Sequence, residues 1–238
     1  MDPCKTDRND TLCHFSNQID RIDIDSYLSV GSTFARHLQQ RLYRGEYYAL
    51  QVDSNTEFAR DWDADLITQF ENTNNEMAIL STYLSNRKDS NAQYHICNVI
   101  FEESGHGRIL KHTIENQPIA LPSINDSPSL HPFWSSTFSF SRGHFILTVP
   151  YDPHLPMLEK NDEEISMTLR AFTHGYDFYV PQRPVCFQHN NDDELAGEKE
   201  EMFGVPISLK HAFWENIDKP LLSRYVILKT CFNYLRYI

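Results

Sequence analysis

The feature that most constrains this chain is a hydrophobic run, Tyr47 to Val52, that ends directly in Asp53-Ser54-Asn55. The run predicts a buried strand, and the ends of buried strands meet loops and ligands at one edge of a sheet. Asp53 and Asn55 share one face of an extended chain because its side chains alternate. A carboxylate and an amide oxygen on one face suit a hard divalent cation that also contacts phosphates. The alternative is a strand followed by a turn, which Asp, Ser and Asn all favour.

Composition and charge restrict the class of protein and its partners. The chain has 238 residues, of which 40% are hydrophobic, enough for one large α/β domain with a substantial core. A formal net charge of -12 argues against duplex nucleic acid or an anionic membrane as a partner. No apolar run approaches the roughly 20 residues of a membrane helix, and residues 1–20 lack the apolar segment of a signal peptide. A cytoplasmic protein that binds neither membrane nor nucleic acid is therefore expected.

The cysteines favour the same location. There are five, an odd number, and no two of them have CxxC spacing. This pattern favours reduced thiols over a disulfide framework or a zinc site.

Hydrophobic periodicity predicts helices that alternate with short buried strands. Helices are predicted over 32–45, 61–70 and 162–175, and strands over 19–24, 46–53, 77–83, 94–101, 176–180 and 185–187. Residues 113–132 are predicted to form a loop, and 143–149 a strand or a helix start. The first helix ends at Gly45 and feeds the next strand at once, which is the unit of a parallel sheet. The expected fold is α/β with a mostly parallel central sheet over 1–190, then a charged linker and a helical extension over 191–238.

Four blocks of sequence follow one another along the chain and carry a resemblance. They are Leu42–Glu46 running into Leu50–Ser54, Ile79–Tyr83, Phe133–Ser141, and Glu163-Glu164 leading to Thr173–Tyr179. Together they resemble the cytoplasmic glycosyltransferases that move N-acetylglucosamine from its UDP donor to a hydroxyproline of the SCF ubiquitin-ligase adaptor Skp1. The resemblance spans about residues 15 to 190.

The resemblance implies a GT-A fold, a Rossmann-like α/β domain typical of nucleotide-diphospho-sugar transferases, similar to the retaining transferases that start mucin-type glycosylation. It implies a metal-dependent retaining enzyme that uses UDP-GlcNAc and acts on a hydroxyproline, Ser or Thr hydroxyl of a Skp1-like protein acceptor. Mn²⁺ or Mg²⁺ at a strand end would neutralise the charge that develops on the UDP leaving group.

The resemblance also implies roles for individual residues. The metal would be held by Asp53, Asn55 and His189; the donor would contact Arg36, Ser54, Trp134, Ser135 and Ser136; the catalytic carboxylates would be Glu163 and Glu164. Each role has a plainer alternative. The two glutamates also suit an acidic first helical turn, Trp134 a core position, and Arg36 a solvated helix face.

Three departures from the family pattern support a different function. The strand-end motif of the family is Asp-Ser-His, and Asn55 offers an amide oxygen where the family has an imidazole. A later metal histidine aligns with Gln188, and a one-residue slip to His189 would point that side chain to the other face of a strand. The sequence also starts after the strand with which family members begin. The alternative function is therefore a catalytically impaired relative that acts as a nucleotide- or protein-binding module, or a fragment.

Overall fold

The computed structural model describes residues 17–24, 31–86, 92–93, 96–104, 107–113, 119–120, 128–155 and 160–188. The helices are α1 (Ser32–Gln40), α2 (Trp62–Glu71), α3 (His144–Thr148) and α4 (Lys160–Thr173). The strands are β1 (Tyr48–Val52), β2 (Thr56–Phe58), β3 (Ala78–Ser81), β4 (Ala92–Gln93), β5 (Asn98–Ser104), β6 (Gly107–Thr113), β7 (Ile119–Ala120), β8 (Ser129–His131), β9 (Phe138–Arg142), β10 (Asp177–Val180) and β11 (Cys186–Gln188).

The central sheet has five strands in the order β1-β9-β3-β10-β8. Only β3 and β10 pair in parallel, and the other three pairings are antiparallel. The prediction of a mostly parallel sheet is therefore wrong. Because β1 and β3 each run antiparallel to β9, they share one direction, and helix α2 connects them as predicted. The insertion of β9 between them joins segments far apart in sequence, and a local pattern does not specify such a neighbour.

The core lies on both faces of the sheet, so the described α/β domain has helices on either side. Ile79 of β3 packs with Met167 and Ala171 of α4, whereas its neighbours Ala78 and Leu80 pack with Leu66 and Phe70 of α2. This division follows from the alternation of side chains along β3. The strand is buried on both faces, as its continuous apolar run predicts.

The structure corrects several predicted element bounds. Helix α1 ends at Gln40, before Gly45, and a turn follows it. Residues 19–24 have no regular secondary structure, so the predicted strand there is wrong. The predicted loop 113–132 contains β7 and β8, and 143–149 contains the helix α3.

The end of α4 agrees with prediction. Gly175 follows the helix with φ at 86°, a conformation that favours glycine, and its N–H donates to the carbonyl of Phe172. The extension predicted over 191–238 lies outside the described residues, so the boundary near residue 190 stays a prediction.

Two further observations concern location. Cys97 is disulfide-bonded, so the expectation that all five cysteines are reduced thiols is wrong. The bond removes one of the reasons for expecting a cytoplasmic protein. Among the helices of the described residues, none is long and apolar enough to span a bilayer.

The end of β9 is fixed by a buried arginine. Arg142 is 4% exposed, and its guanidinium donates two hydrogen bonds of 2.6 and 2.8 Å to Glu76. The same group lies 4.0 Å from the ring centroid of Tyr47 and 4.6 Å from that of Tyr48. The next residue must be glycine, since a Cβ on Gly143 would collide with the Glu46 carbonyl. Arg142 therefore joins the start of β1, the end of β9 and the segment before β3.

We expect Arg142→Lys to lower the free energy of unfolding by about 2 kcal/mol, because an ammonium cannot make the two-point contact or stack flat on the rings. Urea denaturation followed by circular dichroism measures this change. Arg60→Lys is the control, since the Arg60 side chain is 95% exposed. Equal stabilities of the two variants would contradict the role of Arg142.

Candidate functional site

Asp53, Ser54 and Asn55 form a turn directly after β1. The Asp53 side chain is 38% exposed, and Ser54 and Asn55 are exposed. The Ser54 hydroxyl donates to Asn55 Oδ1 over 3.2 Å. The strand end and the turn, stated above as alternatives, are both present, and the turn leaves the two oxygen-bearing side chains at the surface.

A second strand brings the later metal-ligand position to the same place. β11 pairs antiparallel with β2, so that Gln188 lies opposite Thr56, the residue after Asn55. The Gln188 N–H also donates to the carbonyl of Ser85 over 3.0 Å. His189 itself lies outside the described residues, and its role as a ligand stays a prediction.

Arg36 of α1 lies between two carboxylates that were predicted to belong to one site. Its Nη2 donates to Asp53 Oδ1 over 2.8 Å, and its Nη1 donates to Glu163 Oε1. The Arg36 side chain is only 14% exposed and that of Glu163 only 2%. The predicted donor, metal and catalytic residues Arg36, Asp53 and Glu163 are thus in contact, and the solvated helix face suggested for Arg36 is wrong.

A buried tyrosine extends this contact back to β1. The Tyr151 hydroxyl donates to Glu163 Oε1 over 2.7 Å, and the Gln51 amide donates to that hydroxyl over 3.0 Å. Gln51 precedes Asp53 by two residues. Burial, reinforced by the charge of Glu163, raises the pKa of Tyr151 well above its ordinary value, so the hydroxyl keeps its proton.

Glu164 lies in a separate network of donors and is fully buried. Its Oε1 accepts hydrogen bonds from the backbone N–H and the hydroxyl of Ser136, at 2.8 and 3.0 Å, and from Ser135 at 3.3 Å. Its Oε2 accepts from the Tyr83 hydroxyl and lies 3.4 Å from Nδ1 of His112. The carboxylate therefore joins α4 to β6, to the end of β3 and to the segment before β9.

The two adjacent glutamates differ in acidity. Burial raises the pKa of Glu163, and the Arg36 guanidinium and the Tyr151 hydroxyl oppose this shift only in part. Burial acts on Glu164 in the same direction, but the His112 ring, the Tyr83 hydroxyl and the Ser136 N–H outweigh it and lower the pKa of Glu164. An exposed acidic helical turn, the alternative for both, does not describe residues that are 1% and 0% exposed.

The aromatic and hydroxyl block contributes to packing. Trp134 is 1% exposed, and its indole N–H donates to the Ser139 hydroxyl over 2.8 Å. Ser135 and Ser136 are buried against Glu164. These three residues, predicted to contact the donor, offer no exposed surface to a ligand in this structure.

A groove of about 450 Å³ lies beside β1. Its walls come from α1 and the turn that follows, from β1 itself, and from α3; the lining residues that matter for the site are Arg36, Gln51 and Val52. The volume falls in the usual range for small-molecule sites. The groove therefore borders the strand end that carries Asp53.

Sequence reasoning missed four residues of this site, Gln51, Tyr83, His112 and Tyr151, and three of them had no distinguishing signal. Gln51 and Tyr83 lie in segments that were predicted as strands, and His112 and Tyr151 lie in no predicted element. Gln51 alone carried a usable hint, because it shares a strand face with Asp53 two positions later.

The oxygen ligands at the turn fit a hard divalent cation that takes most of its ligands from a bound diphosphate. Arg36 engages one carboxylate oxygen of Asp53, and the amide oxygen of Asn55 is at the surface. Within the described residues no group of three or more His, Cys, Asp or Glu side chains could hold a metal ion. A cation at this turn would therefore need the nucleotide.

The chain matches a family of known proteins over most of its length. A family model described as Glycosyltransferase (GlcNAc) matches residues 2–195. Among curated proteins no relative matches the chain. The family model covers the turn after β1, the Arg36 contacts and both glutamates.

We expect Glu164→Gln to lower the free energy of unfolding at pH 7 by about 2 kcal/mol, because it removes the charge from a buried, multiply hydrogen-bonded acceptor. In the folded protein the pKa of Glu164 lies below its ordinary value of 4.5. Its stabilisation is therefore complete above about pH 4.5 and is lost as the pH falls toward the lowered value.

The difference between wild type and Glu164→Gln should accordingly shrink below about pH 4.5, measured by urea denaturation across pH. Asp63→Asn, which removes an exposed carboxylate on α2, is the control. A difference between wild type and Glu164→Gln that does not change with pH would contradict the lowered pKa.

Proposed function

Because this chain belongs to the GlcNAc glycosyltransferase family, we propose that it transfers N-acetylglucosamine from UDP-GlcNAc to a hydroxyl group of a protein. The acceptor group is a hydroxyproline, Ser or Thr side chain, and a Skp1-like protein is the candidate acceptor. We further propose that the fold is of the GT-A type, that the reaction retains the configuration of the sugar, and that it needs a divalent metal. The family match supports sugar transfer, and the groove beside β1 supports the binding of a nucleotide-sugar donor.

One observation carries this proposal: Asp53 follows the partly buried edge strand β1, is held by Arg36, and comes directly after Val52, which lines a groove of about 450 Å³ together with Arg36. A nucleotide diphosphate needs positive charge and a concave surface. Arg36 is already paired with Asp53 and Glu163. The positive charge would therefore come from Mn²⁺ or Mg²⁺, which Asp53 and Asn55 would hold. When bound, the metal would supply positive charge beside the diphosphate as it leaves.

The residues of the chain have distinct parts in the proposed transfer. Arg36 orients Asp53, and the turn from Asp53 to Asn55 presents its oxygens toward solvent. In the net reaction the bond from the sugar C1 to the diphosphate oxygen breaks and a bond from C1 to the acceptor oxygen forms. The acceptor proton leaves with the diphosphate. Glu163 and Glu164 are both buried. Glu163 holds Arg36 in place, and Glu164 holds the segment that contains Ser136.

A second function is favoured by one specific observation. Glu163 and Glu164 are 1% and 0% exposed, and both are occupied by internal hydrogen bonds. A chain with an amide at position 55 and no exposed catalytic carboxylate among these two suits a relative that binds a nucleotide or a protein without transferring sugar. Binding of UDP with no release of UDP from UDP-GlcNAc would support that function.

We expect Mn²⁺ to bind only in the presence of UDP, because two protein oxygens hold such an ion weakly without phosphate ligands. Isothermal titration calorimetry with Mn²⁺ alone and with Mn²⁺ plus UDP measures this dependence. Asp53→Asn should abolish the UDP-dependent heat, and Asp63→Asn should leave it intact. Equal heats with and without UDP would count against the site.

We expect Asn55→His to increase the release of UDP from UDP-GlcNAc in the presence of Mn²⁺, since an imidazole is the ligand at this position in the family pattern. A gain of about tenfold corresponds to about 1.4 kcal/mol. Circular dichroism verifies that the variant is folded. No gain in a folded variant would show that residue 55 does not limit metal binding.

A further inference from the structure

Arg36 joins the exposed turn after β1 to the buried start of α4. It comes from α1, and it contacts Asp53 and Glu163, which lie 17 and 127 residues away in sequence. Only 14% of the Arg36 side chain is exposed, so its ion pairs are largely shielded from solvent. A guanidinium suits this position because its planar fork contacts two carboxylates at once.

The contacts of Arg36 close into a ring of hydrogen bonds. Glu163 accepts from Tyr151 over 2.7 Å, and Tyr151 accepts from the Gln51 amide over 3.0 Å. Gln51 also donates to the Ser136 carbonyl over 2.9 Å. Because Gln51 lies near the end of β1 and Asp53 directly follows that strand, the ring returns to the segment from which it started. This clamp, consisting of Asp53, Arg36, Glu163, Tyr151 and Gln51, joins the end of β1 to α1 and to the start of α4.

The charge of the clamp is not balanced. It contains two carboxylates and one guanidinium, while Tyr151 and Gln51 are neutral donors. One excess negative charge remains, and its exposed end is Asp53, whose side chain is 38% exposed. A buried arrangement of this kind is stabilised by a cation near its open end.

The geometry also selects one oxygen of Asp53. Arg36 binds Oδ1, and no hydrogen bond or ion pair is present at Oδ2 in the part of the chain that the structure describes. A carboxylate held at one oxygen by a rigid fork cannot rotate freely, so the direction of its second oxygen is fixed. Side chains that orient a metal ligand in this way contribute to metal affinity without contacting the metal.

We propose that Arg36 is a positioning residue, supported by Tyr151, that fixes Asp53 so that its free oxygen points to a divalent cation bound with the nucleotide diphosphate. This inference rests on the proposed function, because it concerns the metal of the same site. Helix α1 and the Tyr151 hydroxyl would then contribute to metal affinity as well as to packing.

Arg36→Lys and Tyr151→Phe test the inference. The lysine keeps the charge but cannot contact Asp53 and Glu163 together, and the phenylalanine keeps the ring but removes the hydroxyl. The matched controls are Arg44→Lys, whose side chain is 68% exposed in its pair with Asp20, and Tyr176→Phe, which removes the hydroxyl of a buried tyrosine bonded to His144. Each variant is the full chain.

The measurement is the dissociation constant of Mn²⁺ at saturating UDP, obtained by electron paramagnetic resonance of free Mn²⁺, together with urea denaturation. We expect Arg36→Lys to weaken Mn²⁺ binding by about 10- to 100-fold, and Tyr151→Phe to weaken it in the same direction by a smaller factor. Both variants should still unfold cooperatively. The two controls should bind Mn²⁺ as the wild type does, which a general loss of stability would not explain.

The outcomes separate the inference from the proposed function. If wild type binds Mn²⁺ with UDP and the Arg36 and Tyr151 variants bind equally well, the positioning role is overturned while the proposed function stands. If wild type itself binds no Mn²⁺ with UDP, both are overturned. If Arg36→Lys does not fold, Tyr151→Phe decides: weakened Mn²⁺ binding in a folded Tyr151→Phe supports the inference, and unchanged binding overturns it.

Discussion

The structure around the site depends on the removal of two neighbouring carboxylates, Glu163 and Glu164, from water. An isolated buried carboxylate is strongly destabilising, so each must be compensated by charge or by donors. Glu163 is compensated by Arg36 and Tyr151, and Glu164 by Ser136, Tyr83 and the neighbouring His112 ring. Arg36 comes from α1, and His112 comes from β6. Tyr83 follows β3, Ser136 precedes β9, and Tyr151 follows α3. The two glutamates at the start of α4 therefore hold the layers of the domain together.

The same compensation links the core to the surface. Arg36 neutralises Glu163 with one nitrogen and contacts Asp53 with another, so a buried charge determines the position of an exposed one. The first residue of the turn after β1 is thereby held by a contact from the core. A site that must hold a charged ligand benefits from such rigidity, since its residues need little rearrangement on binding.

Sequence patterns predicted the α/β class, β1, α2, β3, α4 and β10 close to their observed positions, because each has a clear hydrophobic period or buried run. They also placed Arg36, Asp53 and Glu163 in one site, through the resemblance to a family. They failed for the direction of neighbouring strands, since β9 inserts between β1 and β3. They also failed for residues 19–24, where alternation of apolar and charged residues exists without a neighbouring strand to pair with in the described structure.

The sequence by itself determined that Asp53 and Asn55 directly follow a strand, because a strand depends on the local hydrophobic run. The predicted burial of that strand is wrong, since β1 lies at the sheet edge and is only partly buried, and a turn replaces the extended chain after Asp53. It also determined membership in the GlcNAc glycosyltransferase family. Only the tertiary structure decided that Trp134 and both serines beside it are buried, and that Tyr151 completes the contact between Glu163 and Gln51. The physical reason is that burial and hydrogen-bond partners depend on residues from different segments, such as Gln51 and Tyr151, which are 100 positions apart. Packing and desolvation bring such residues together, and a local pattern does not specify them.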